Sequence, residues 1–526
     1  MHPHGAPGDT HPGHDGAHTH GVPLPADVPV TDGDERGFAW YAGDHHIHTT
    51  FSRDAMYTVD DQVRRGHEHG LDWMVVTDHG GPDHAKQSVA LQTPLIAEAR
   101  RRHPVLVFQG MEWNIPGAEH ATFIAPDHER TPQLLQEFER RFDGDVVAAV
   151  QNPGGPRLVE HSVEGGPAAE QLGLDAIAWL VDQIARGTVD EALVLSNHPM
   201  RTGRVSPSKV RGWRDAAPGV FVGWEGAPGH QAAALPAPLG RGRGRGQYDE
   251  RPGRWSFPGY DLDQYRTWGG FDAATARTGG LWDSLLAEGL PWWITANSDN
   301  HFDHGDTVRV GHLDREHYVR HGHRGEPVET GVPQHGYVDF APGAYSRTVV
   351  GAVRRDYRGV MAALREGRVF VVHGGLVRAV EARVRPGGEG PGVTFGARTS
   401  VRRGGDVEVE LLVDPATEPN PSGQVPRSAR WDVIVGTVTG RVRDRDLWEA
   451  PGTRVVESFE VSPRAVGRQR FTTTLRGVAD PLYVRFRGSD GRHARPDGHP
   501  EVDRIGDSDP WDDLWCYTNP VFVDVG

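Results

Sequence analysis

Histidine and carboxylate side chains recur in this chain at places where an apolar run gives way to a loop. The segment Asp44-His45-His46-Ile47-His48 holds an H-x-H pair, and in extended backbone alternate residues share a face, so His46 and His48 project to one side. Thr77-Asp78-His79-Gly80 follows the run WMVV, Glu112 follows VLVFQGM, and His120 opens HATFI. His198 follows LVLSN, and WWITANSDNH delivers Asp299 and His301. Each histidine alone reads as a solvated or capped residue, but their repetition at strand ends points to one metal site. Divalent ions held this way lower the pKa of water to about 7 and neutralise charge developing on a phosphoryl or carbonyl oxygen. Glu112 is the best bridging carboxylate. Cys516 is the lone cysteine, which excludes a disulfide framework and a thiolate zinc module and leaves nitrogen and oxygen ligation by Zn, Mn or Fe.

Other residues belong around such a centre. Arg201 and Arg204 follow the His198 strand end, where a guanidinium can clamp an anionic substrate group bidentately; surface arginines are the competing reading. Glu225 lies past the run VFVGW, with His230 nearby, and is a candidate for supporting the ligands. Asp78 is expected to orient a ligand and not to bind directly. His67 and His69 fall in a predicted helix far from any strand end and read as structural, as does His373 after VFVV, near the domain junction.

The elements that must position these residues follow from hydrophobic periodicity. Short apolar runs Trp73–Asp78, Val105–Gln109, Ala192–Ser196, Val220–Trp224 and Trp292–Ala296 alternate with helical patterns, which predicts βα units covered on both faces. Thr58 with Asp61 makes a capping-box signal for one helix, and Ile177, Leu180, Val181 and Ile184 form the stripe of another. Residues 37–375 therefore read as an α/β catalytic domain carrying a mobile, solvated Gly/Arg-rich loop at 240–254. From 376 to 526 the pattern changes to short alternating strands between Gly, Pro and Asp, which predicts a separate β-sandwich. Residues 1–36 are rich in Gly, Pro, His and Asp and read as a disordered tail.

Composition narrows the function classes. The 526 residues carry a formal net charge of −16, against a general binder of nucleic acid or anionic membranes. No run resembles a membrane span or a secretory signal, so the expectation is a cytoplasmic protein acting on a small molecule. Oligomeric state is not legible.

Taken in order, His46-x-His48-x-x-x-Ser52, Thr77-Asp78-His79-Gly80, Gly110-x-Glu112, Asn197-His198-Pro199 and Ser298-Asp299-x-His301 resemble the motifs of the PHP (polymerase and histidinol phosphatase) superfamily. The resemblance implies a distorted (β/α)7 barrel, two or three divalent ions and hydrolysis of phosphoesters. It also implies a ligand set of His46, His48, Asp54, His79, Glu112, His120, His198, Asp299 and His301, with Asp54 standing where relatives carry histidine. The segment ALREGRVFVVHGG and a β-sandwich ending in TNPVFV are similar to the carbaryl-hydrolase-like branch, which makes a carboxylic ester or carbamate hydrolase the alternative. A barrel of this type used as a non-catalytic binding or scaffold module is the reading from another class, and metal content separates it from an enzyme.

Overall fold

The computed structural model describes residues 37–151, 165–248, 251–306, 308–310, 315–332, 337–388, 390–505 and 509–526. The histidine-rich tail expected over 1–36 lies outside them. Seven strands follow one another in space in chain order: Ala39–Asp44, Trp73–Val76, Leu106–Asn114, His120–Ile124, Leu193–Ser196, Phe221–Ala227 and Trp293–Ala296. Neighbours run parallel, except that His120–Ile124 is antiparallel to both of its partners. The first and last strands meet beyond their ends, where Ile47 bridges Asn300 and Ser298 N donates to Asp44 at 3.1 Å. That meeting sets the residues after Asp44 beside those after Ala296.

The sequence expectation for the elements is met at the apolar runs and departs from it in three places. Thr58 caps the Val59–Glu68 helix in a full capping box with Asp61, and Ile177 and Leu180 are buried along Pro167–Ala185 while Val181 faces outward. First, Glu112 does not follow a strand; it sits inside Leu106–Asn114, which pairs parallel with Trp73–Val76 over its first half and antiparallel with His120–Ile124 over its second. Gly110 stands at the change of partner, where a Cβ would meet the Phe123 carbonyl oxygen at 2.5 Å. Second, within 240–254 the segment around Arg245 is anchored and not solvated. Arg245 is fully buried and donates to Asp513 at 2.7 Å and to Tyr345 Oη at 2.7 Å, because buried carboxylate and hydroxyl partners satisfy the guanidinium.

Third, some strands of the C-terminal β-rich part join the sheet of the preceding part, while three others form a sheet of their own. Val377–Pro386, Gly405–Pro415 and Gln469–Val478 form one antiparallel sheet. The opposing strands include Arg430–Thr437, Leu482–Ser489 and Trp515–Thr518. Trp515–Thr518 pairs with Val369–His373, which pairs with Ser346–Ala352, which pairs with Ala39–Asp44. A single fifteen-stranded sheet results. His373 is buried at this junction with its ring against Phe271 and Tyr345; burial, with Arg245 nearby, holds its imidazole well below the usual range and so neutral. No helix among the described residues is long and apolar enough to cross a membrane.

Candidate metal centre

The extended segment after Asp44 turns His45 and His46 to opposite sides, as alternation requires. His45 bonds Thr295 Oγ1 at 2.8 Å within the sheet, whereas His46 and His48 turn toward Glu112 and Asp299 with their Nε2 atoms 3.0 Å apart. Two carboxylates complete this group: His46 Nε2 lies 3.2 Å from both Glu112 Oε1 and Asp299 Oδ1, and His48 Nε2 lies 3.5 Å from Glu112 Oε2 and 3.2 Å from Asp299 Oδ1. Ligands bonded at ~2.0–2.1 Å around a tetrahedral ion stand roughly 3.3 Å from one another, so these separations match the edges of a coordination shell. Glu112 Oε2 and Asp299 Oδ1 are buried and face imidazole nitrogens of this same cluster. A buried carboxylate stays ionised only beside positive charge, which an ion among these donors would supply.

Further donors surround Glu112. His79 Nδ1 is 2.6 Å from Glu112 Oε2, while its Nε2 is 3.3 Å from His301 Nε2 and 3.4 Å from Asp54 Oδ1. His120 Nδ1 and His198 Nε2 approach Glu112 Oε1 at 2.8 and 3.4 Å. The nine ligand positions implied by the motifs thus form one connected group: five imidazoles meet Glu112, Asp299 joins through His46 and His48, and His301 and Asp54 join through His79, with Asp54 at the more exposed rim. Donor triplets compatible with an ion include His48/His79/His301, His46/His48/Glu112 and His79/Glu112/His120.

Three of these imidazoles, those of His46, His48 and His301, are fixed by a partner on their other nitrogen, which sets the tautomer and aims the free nitrogen inward. His46 Nδ1 bonds Glu225 at 2.6 Å and His301 Nδ1 bonds the Asp299 carbonyl at 2.9 Å. For His48 the support is a relay. Ser52 Oγ donates to Asp78 at 2.6 Å and so accepts from His48 Nδ1 at 2.9 Å. Asp78 also accepts from the Thr49 backbone and hydroxyl, so it orients the whole turn and touches no metal-facing atom. Asn197, next to His198, donates to Glu112 at 3.0 Å. Glu225 takes the His198 N–H at 2.7 Å, which gives it a supporting role for two ligands.

Three residues of the cluster adopt backbone that L side chains rarely take: His198, His230 and Asp299 have φ of 28°, 54° and 47°. Such conformations persist where surrounding contacts over-determine them, typically at functional sites.

Electrostatics agree with a site built for positive charge. Burial opposes ionisation of Glu112, yet His120, His46 and His79 hold its carboxyl well below the usual carboxylate range. Burial likewise opposes ionisation of Asp299, and His230 and His46 outweigh it. His46 is raised well above the ordinary value: burial disfavours its charge, but Asp299, Glu112 and Glu225 reverse that. His48 and His198 go the other way, His198 to about 3, through burial first and then neighbouring cationic groups.

Sequence reasoning did not count three contributors as site residues. His230 Nε2 lies 2.9 Å from Asp299 Oδ2, and its Nδ1 bonds Asp339 at 2.5 Å, which makes His230/Asp299/His301 another donor triplet. Glu119 forms a triplet with His120 and His198 and reaches toward Arg201 at 3.6 Å. Arg201 lies beside the centre and is already paired with that carboxylate. Arg204 is buried, its carbonyl held by Lys209 Nζ at 2.9 Å.

No family model matches the chain, and no curated protein matches it. Among solved structures it is similar to a two-domain protein from Bacteroides vulgatus ATCC 8482 described as containing a predicted PHP-like metal-dependent phosphoesterase. Identity there is 13%, 89% of this chain and 94% of that chain are covered, and the TM-score is 0.33. PsfC from Pseudomonas syringae PB-5123 matches at 12% identity over 62% of this chain and 88% of that one, with a TM-score of 0.28. Both overlaps are too loose to carry an activity across.

Proposed function

We propose that this protein is a multinuclear metal-dependent hydrolase of the PHP type, acting on phosphoesters from the rim of a distorted seven-stranded barrel. One observation carries the reading: five imidazoles, of His46, His48, His79, His120 and His198, approach the buried Glu112 carboxylate to within 2.6–3.5 Å. His46, His48, Glu112 and Asp299 would hold one ion. His79, His301 and Asp54 would hold a second, and His120 and His198 would contribute to a third. Ions bound there supply Lewis acidity and make a nucleophilic oxygen available at neutral pH. Nitrogen and oxygen donors suit Zn, Mn or Fe.

The chain's own part is to fix these donors through Glu225, Ser52 and Asp339, to exclude bulk water by burial, and to orient the substrate. Arg201, whose planar fork fits a phosphate bidentately, is the substrate-binding residue. Its pairing with Glu119 favours a second reading, a carboxylic ester or carbamate hydrolase with the same centre, because a guanidinium already matched in charge suits a neutral substrate.

The test is a panel of phosphomonoesters, phosphodiesters, aryl carbamates and carboxylic esters run at equal metal loading. Metal-dependent turnover of a phosphoester, with inorganic phosphate inhibiting and Arg201→Ala weakening that inhibition more than it lowers metal content, is the expected result. Far faster turnover of carbamates or esters would replace it with the second reading.

A further inference from the structure

His230 is the donor whose position local structure explains least. Its backbone is left-handed, at φ 54°, and it begins a single 3-10 turn, Gln231–Ala234. A short turn of this kind does not hold a strained residue by itself. What surrounds it reaches across the molecule. Gly246 N donates to the His230 carbonyl at 3.2 Å. The side chain of the adjacent Gln231 accepts from Arg245 Nε at 2.9 Å and donates to the carbonyls of Pro228 and Gly270 at 2.7 and 2.9 Å. Arg245 in turn donates through Nη1 to Asp513 Oδ2 at 2.7 Å. Arg245 and Asp513 side chains are 0% and 2% exposed, so solvent does not dilute the link.

The packing is as tight as the bonding. A Cβ on Gly270 would meet the Arg245 guanidinium at 2.1 Å, and one on Gly269 would meet the Trp515 indole at 2.4 Å. Phe271 lies on Tyr517 with ring centroids 4.1 Å apart. Its neighbour Asp272 accepts from Met200 N at 3.1 Å, two residues beyond His198, the second strained histidine. The C-terminal strand thus presses on the supports of both.

We propose that Asp513, in the C-terminal β-rich part, is a positioning residue for the metal centre, acting through Arg245 and Gln231 on His230. The proposal rests on the metal-hydrolase reading above. Asp513 touches no donor; it fixes the guanidinium that fixes the amide beside His230. Rigid support of this kind sets how well a ligand is presented, and loss of such a partner weakens metal binding by roughly 10–100-fold.

The test compares the full chain with Asp513→Asn, Gln231→Leu and Asp432→Asn. Asp513→Asn leaves Asp503, 3.9 Å from Arg245, to balance the charge, and Gln231→Leu cuts the link while the Arg245–Asp513 pair stays. Asp432 is an equally buried carboxylate of the C-terminal part, paired with Arg487 at 2.7 Å and outside the His230 network, and serves as the control. Each protein is stripped, titrated with Co2+, and followed by cobalt per chain, visible absorption and thermal midpoint. The expected result is at least about tenfold weaker binding of one cobalt equivalent, with a changed spectrum, in both Asp513→Asn and Gln231→Leu, and wild-type titration in Asp432→Asn. If Asp513→Asn fails to fold, Gln231→Leu carries the comparison. Wild-type cobalt binding and spectra in the linked variants would overturn the proposal alone. An unmodified chain that takes up no cobalt would overturn the metal-hydrolase reading and this proposal with it.

Discussion

Ser52 connects the ligand His48 to the turn that carries it, through one hydroxyl that accepts from the ring and donates to Asp78. Ser52→Ala should therefore weaken metal affinity by roughly 10–100-fold while thermal stability changes little, a split that chelator competition and a melting curve would read together. His198→Ala and Asp299→Ala should each cut turnover by orders of magnitude with the fold kept, since both lie on loops beyond the strand ends and their side chains face donors, not apolar core; near-normal rates in metal-loaded variants would contradict that. At this scale the sequence was most legible where short spacing encodes geometry. His46 and His48 share a face because extended backbone alternates, and Asp299 and His301 repeat the spacing. His230 and Asp339 were harder because they are 109 residues apart and neither sits in a repeated pattern. The usable signal was His230 following Glu225 just past an apolar run.

The Leu106–Asn114 strand shows how an element places a bridging carboxylate. By changing partners at Gly110 it carries Glu112 beyond the parallel pairing, where an antiparallel hairpin brings His120 back against it. Gly110→Val should disturb this change of partner, since added atoms would meet the Phe123 carbonyl and the Val75 side chain. The expected cost is about 1–3 kcal/mol of stability, read as a lowered denaturation midpoint, with metal lost alongside. The apolar runs predicted the strands well because buried strands are nearly continuous in hydrophobicity. Direction was not encoded in them. Asn114-Ile115-Pro116-Gly117 held a turn signal, and Gly117 has φ 76°, but a hairpin and a βα loop both begin with such residues.

Across the whole molecule, one sheet passes from the metal-facing strands to the C-terminal strands, and a boundary read from a change in periodicity cannot reveal such pairing between residues more than a hundred positions apart. Cys516 lies in the joining strand, fully buried. It should resist a thiol reagent in the native protein and react only as the junction opens, so labelling against denaturant should track global unfolding; rapid native labelling would contradict a closed junction. Deleting residues 1–36 should leave at least two ions per chain, because the donor groups found among the described residues all lie beyond residue 43. The central claim is that Glu112 organises a multinuclear centre, and the most direct measurement is elemental analysis of the dialysed, metal-reloaded chain beside Glu112→Gln. The account predicts two or three ions per unmodified chain, and loss of most of that metal in Glu112→Gln with circular dichroism unchanged. Full metal content in Glu112→Gln, or none in the unmodified chain, would contradict it.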